Sequence, residues 1–131
     1  MELLEKVARE GGQLLRVETQ IDGPASEVIS ALILTFDVAR VLLRIDVASG
    51  LLDEQQVEAE ASTPSNWVSV DDEEPWWRVL GNPLSRVLEI EAGSGSVGVA
   101  LQFRKDNDDP RRIALLAHGT DLEVKLQPPA A

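Results

Sequence analysis

The chain of 131 residues carries 23 acidic against 12 basic side chains, a formal net charge of −11, and 44% of it is hydrophobic. Its length suits one compact domain over residues 1–131, and its composition suits a foldable core rather than disorder or a fibrous repeat. With no cysteine and one histidine, a disulfide scaffold, a thiolate metal site and cysteine nucleophiles are excluded, and the acidity disfavours binding to nucleic-acid phosphates or anionic membranes.

Leu3, Leu4, Val7 and Ala8 recur at three- and four-residue spacing and Gly11-Gly12 follows, which predicts an amphipathic helix over residues 2–10. Leu15, Val17, Thr19 and Ile21 then alternate with Arg16, Glu18 and Gln20, the period of a strand with one wet face. Residues 28–36 and 40–47 are rich in aliphatic and β-branched side chains and lie only a few residues apart, so they should pair as a hairpin. The first of these is apolar on both faces, which predicts a central position.

From Ala48 to Glu74 the pattern is irregular, with a candidate strand at 55–60 and turn residues at 62–66. Asp71-Asp72-Glu73-Glu74-Pro75 then precedes Trp76-Trp77-Arg78-Val79-Leu80, with Gly81 after it. Acids, then proline, then a closing glycine punctuate one or two turns of helix. Residues 84–92, 96–104, 112–117 and 121–126 read as a four-strand meander. The fold expected is therefore α+β: a twisted antiparallel sheet of about six or seven strands with an N-terminal helix and a short Trp-containing helix. No internal repeat of solenoid period and no interdomain linker stands out.

Few residues combine into chemistry. Gly93, Gly95 and Gly98 match the glycine spacing of a dinucleotide fingerprint, but Val97, Val99, Leu101 and Phe103 alternate as a strand where that motif requires a helix. Asp106-Asn107-Asp108-Asp109 opens like a calcium loop, yet Arg111 and Ala117 stand where an EF-hand needs its glycine and glutamate. His118 could act as a base oriented by Asp121 across Gly119-Thr120, but no nucleophile elbow accompanies it. No cofactor and no metal site is expected. The stretch MELLEKVARE does not read as a secretory signal, and no apolar run approaches the ~20 residues that span a bilayer, so a cytoplasmic setting without membrane attachment is expected.

The charge is concentrated. Between Arg44 and Arg78 there is no Lys or Arg, while Asp46, Asp53, Glu54, Glu58, Glu60, Asp71, Asp72, Glu73 and Glu74 all fall there. Trp67, Trp76 and Trp77 flank the acids in this stretch. Carboxylates around exposed indoles suit a basic protein partner, so Asp53, Glu54, Trp67, Asp71, Asp72, Glu73, Glu74, Trp76 and Trp77 are the candidate partner-binding residues. The same charges would also serve a solubilising loop.

The order of an acidic loop, Pro75-Trp76-Trp77-Arg78-Val79-Leu80-Gly81 and strands ending in His118-Gly119-Thr120-Asp121-Leu122-Glu123-Val124 resembles that of small acidic bacterial domains of uncharacterised function. Some of those are immunity partners of polymorphic toxins. The resemblance implies a non-enzymatic binding module, in one form an immunity-type inhibitor of a basic partner. The alternatives are a small enzyme or ligand-binding protein with a pocket near His118, and a structural subunit of a homo-oligomer.

Overall fold

The computed structural model of the protein describes residues 2–21, 29–46, 51–58, 67–72, 76–92, 95–103, 111–118 and 121–127. Helix α1 (Glu2–Arg9) is followed by strands β1 (Leu14–Ile21), β2 (Ile29–Phe36), β3 (Arg40–Ile45), β4 (Leu52–Val57) and β5 (Trp67–Ser69). A 3-10 turn (Trp76–Arg78) then leads into β6 (Leu84–Ala92), β7 (Gly95–Phe103), β8 (Arg111–His118) and β9 (Asp121–Gln127). The class is α+β, as expected, but the strands number nine among the described residues rather than six or seven. The excess includes β5, whose three residues are too few to show a period. The Trp helix is a single 3-10 turn, and the candidate strand at 55–60 forms three residues earlier, at Leu52–Val57.

Among the described residues the pairing is antiparallel throughout and falls into two runs, β5-β1-β2-β3-β4 and β6-β7-β8-β9. They join where Ile29 of β2 pairs with Leu122 of β9. The hairpin β2–β3 and the C-terminal meander form as their alternation predicts; Gly95 and Gly98 lie in strand β7, where Gly95 pairs with Ala92 of β6, and Gly93 lies outside the described residues.

α1 forms because Leu4 and Val7, both fully buried, share one face, with Glu2 and Glu5 in the first turn and Lys6 and Arg9 in the last, as the helix dipole favours. It ends in a Schellman motif: Gly12 N donates to Val7 O at 2.9 Å and Gly11 N to Ala8 O at 3.2 Å, with Gly11 at φ 66°.

The two runs are copies of one plan, which the sequence reading did not find. In β1–β2, Leu14 pairs with Phe36 and Arg16 with Thr35, leaving Leu15 as a bulge. In β6–β7, Leu84 pairs with Phe103 and Arg86 with Gln102, leaving Ser85 as the same bulge. The next strands keep this register: Leu34 with Val41 and Leu32 with Leu43 match Leu101 with Ile113 and Val99 with Leu115. Ile45 with Leu52 likewise matches Ala117 with Leu122. Each run follows a short helical element closed by a positive-φ glycine, Gly11 or Gly81.

Where the copies meet, each residue bonds the counterpart of its neighbour. Leu14 N donates to Asn82 O at 3.2 Å and Leu84 N to Gly12 O at 2.8 Å, around a bridge between Gln13 and Pro83. A residue paired with its own equivalent marks a local two-fold axis. Both copies turn their inward faces to one core, in which Leu14, Leu34, Phe36, Val41, Leu43, Leu84, Leu101, Phe103, Ile113 and Leu115 are all buried.

Candidate functional site

The described residues of the acidic segment do not gather into one surface. Asp53 and Glu54 stand on β4 and Trp67 on β5, at opposite edges of the five-strand run. Four interstrand steps of about 4.8 Å separate those edges, roughly 19 Å along the sheet.

Two of the carboxylates hold the fold itself. Glu54 reaches from β4 to the start of α1, where Oε1 accepts from Leu3 N at 2.8 Å and Oε2 from Leu4 N at 3.2 Å. These are donors that a helix N-terminus leaves unsatisfied, so Glu54 caps α1 from some fifty residues away in sequence. Asp71 Oδ1 accepts from Val17 N at 2.7 Å just beyond the end of β5, while Val70 N donates to Val17 O at 2.9 Å. Asp53 is exposed and lies opposite Arg44, also exposed, in the β3–β4 register. Asp72 is exposed; Glu73 and Glu74 lie outside the described residues.

The tryptophans divide as well. Trp76 is 2% exposed and belongs to the core, Trp67 is half-buried opposite Gln20, and Trp77 is 50% exposed. The 3-10 turn causes this split, since it points consecutive side chains in different directions and can turn only one indole inward. The guanidinium carbon of Arg78 sits 4.6 Å from the Trp77 ring centroid, a cation–π contact that orders the exposed indole. Trp77 and Arg78 thus form a corner in which a cation lies over one large apolar surface.

Sequence reasoning missed the polar row on the outward face. Glu18, read as a member of a wet face, and Arg40 are both 7% exposed. Arg40 Nη2 lies 3.5 Å from Glu18 Oε1, and Arg40 Nη1 donates to Glu58 O at 3.1 Å. In the second copy Arg112 Nη2 donates to Gln102 Oε1 at 2.9 Å.

His118 pairs through its backbone with Asp121 at the β8–β9 hairpin; its side chain and the 106–109 loop lie outside the described residues. An open hollow of about 720 Å³ beside α1 is lined by Glu2, Leu3, Glu5, Lys6, Arg9 and Glu54, and its strand-borne carboxylate is the one that caps the helix. No cluster of metal-ligating side chains occurs among the described residues, and none of their helices is long and apolar enough to cross a membrane. No family model matches the chain, and no curated protein or solved structure matches it at a significant level.

Proposed function

We propose that the protein is a non-enzymatic binding domain that meets a basic protein partner at the corner of Trp77 and Arg78. The observation that carries this reading is the contrast between the adjacent indoles: Trp76 is buried at 2% exposure and Trp77 stands 50% exposed under Arg78. Exposing half of an ordered tryptophan favours a partner that covers it, because such an indole contributes apolar area at little cost in side-chain entropy. The net charge of −11 supports a basic partner through faster encounter.

Glu54 and Asp71 leave the interface expected from sequence, since their carboxylates are engaged within the fold. The resemblance described above makes immunity-type inhibition of a basic partner in the cytoplasm the specific form of this proposal.

The test is binding kinetics against proteins that the tagged chain retains from its native host. Trp77→Ala should raise the dissociation rate at least tenfold, equivalent to about 1.4 kcal/mol or more. Raising the salt should slow association of the parent. A folded Trp77→Ala variant that binds every retained protein like the parent would exclude the corner.

A further inference from the structure

We propose that the outward face of β6–β9 carries a binding site for a carboxylate, centred on the guanidinium of Arg112 and flanked by Arg86. The repeat supplies the starting point. In the first copy Arg40 pairs with Thr35, and Glu18, which pairs with Ile33, places its carboxylate 3.5 Å from the Arg40 guanidinium. The registers carry Arg40 to Arg112, opposite Gln102, and Glu18 to Leu88, opposite Ala100. The second copy therefore keeps the arginine and has a hydrocarbon where its carboxylate would stand.

The arginine shows the consequence. Arg112 donates from Nη2 to Gln102 Oε1 at 2.9 Å, and its Nε is buried with no hydrogen-bond partner. A guanidinium presents a planar fork of donors that suits two carboxylate oxygens, and a buried donor left without an acceptor is unfavourable. Arg86 lies in the same cross-strand row on the other side of Gln102, is exposed, and makes no ion pair among the described residues. Two cations thus flank one neutral amide on a chain of net charge −11, which attracts an anion locally where the molecule as a whole repels it. Half-buried Leu88, next along β6 on the same face, gives the stem of an aliphatic carboxylate a surface to lie on.

This site is separate from the Trp77 corner, and neither proposal depends on the other. The probe is sodium acetate, titrated into the full chain against sodium chloride at constant ionic strength and read from the Nε–H resonance of Arg112, assigned by its loss in Arg112→Lys. The expected result is a saturable shift of that resonance with acetate, absent with chloride, and a parallel rise in Tm. Arg86→Gln should weaken the apparent affinity several-fold.

Leu88→Glu supplies the carboxylate from within the chain and should abolish the acetate response. If that variant does not fold, Arg112→Lys takes its place, read by Tm, and should lose most of the acetate-dependent rise. A resonance that already shifts with protein concentration, and returns when acetate is added, supports the site and identifies the carboxylate as one from a second copy. A resonance indifferent to acetate at several hundred millimolar, or a response undiminished in folded Leu88→Glu, overturns the proposal. Equal binding of sulfate would mark an adventitious ion only and overturn it too.

Discussion

The two copies of the four-strand plan agree on the inside and disagree on the outside. At equivalent inward positions Leu14 and Leu84, Leu34 and Leu101, Phe36 and Phe103, Leu43 and Leu115, and Leu52 and Leu122 are the same residue, and all are buried. At equivalent outward positions Glu18 faces Leu88, Ile33 faces Ala100, Leu42 faces Ala114 and Arg44 faces Leu116 in the comparison. The inward faces share one core, where a change of a single methylene is felt by neighbours from both copies. The outward faces keep Arg16 and Arg40 as Arg86 and Arg112 but share no common core, so each is free to acquire its own chemistry. The teaching is that this repeat is held by packing and individualised by polarity: a buried ion pair on one side, a half-satisfied arginine on the other.

The largest test of the agreement is to empty equivalent places in the core. Phe36→Ala and Phe103→Ala should each cost about 3–5 kcal/mol of unfolding free energy in denaturant titrations. Costs that differ more than twofold would show that the halves do not share one core evenly.

The disagreement is tested next. Glu18→Gln leaves Arg40 buried without its carboxylate and should cost about 3 kcal/mol, whereas Arg112→Met removes a poorly satisfied cation and should cost about 1 kcal/mol or less. Equal losses would erase the contrast between the outward faces.

Smaller effects follow at the chain reversals. Gly11 and Gly81 adopt φ of 66° and 78° with open space where a Cβ would stand, so alanine at either should cost about 1–2 kcal/mol from backbone strain alone. The two should match within error. Glu54→Ala should remove the cap of α1 for about 1 kcal/mol, seen as faster amide exchange at Leu3 and Leu4 without protection lost in β6–β9.

Strands and helix were legible where period and punctuation agreed: α1, β1, the β2–β3 hairpin and the whole C-terminal meander. What escaped depends on distance in space. Glu54 looks like any surface acid until the N-terminus of α1 is laid against β4, and Glu18 looks wet by alternation until Arg40 arrives from β3. The contiguous acidic surface failed because β1, β2 and β3 separate β4 from β5.

The repeat did leave a trace in the sequence. Gly11, Leu14, Arg16 and Val17 recur as Gly81, Leu84, Arg86 and Val87 at one fixed spacing. Beyond β1 the spacing drifts, since Phe36 corresponds to Phe103 and Arg40 to Arg112, and the drift hides the rest from any search at constant period.

The crossing of Gln13 with Pro83 has a consequence for the order in which the chain folds. Strands β1–β4 and strands β6–β9 each pair with neighbours in sequence, while the crossing joins residues one whole copy apart. Closing a loop of that length costs roughly 3 kcal/mol more in chain entropy than closing a three-residue hairpin turn, so the runs form early and their mutual embrace late. Were the runs to form before the crossing closes, each would show a leucine-rich inward face to water. Copies in that state would adhere through those faces. A charge of −11 would oppose that adhesion, a use for the acidity that requires no partner.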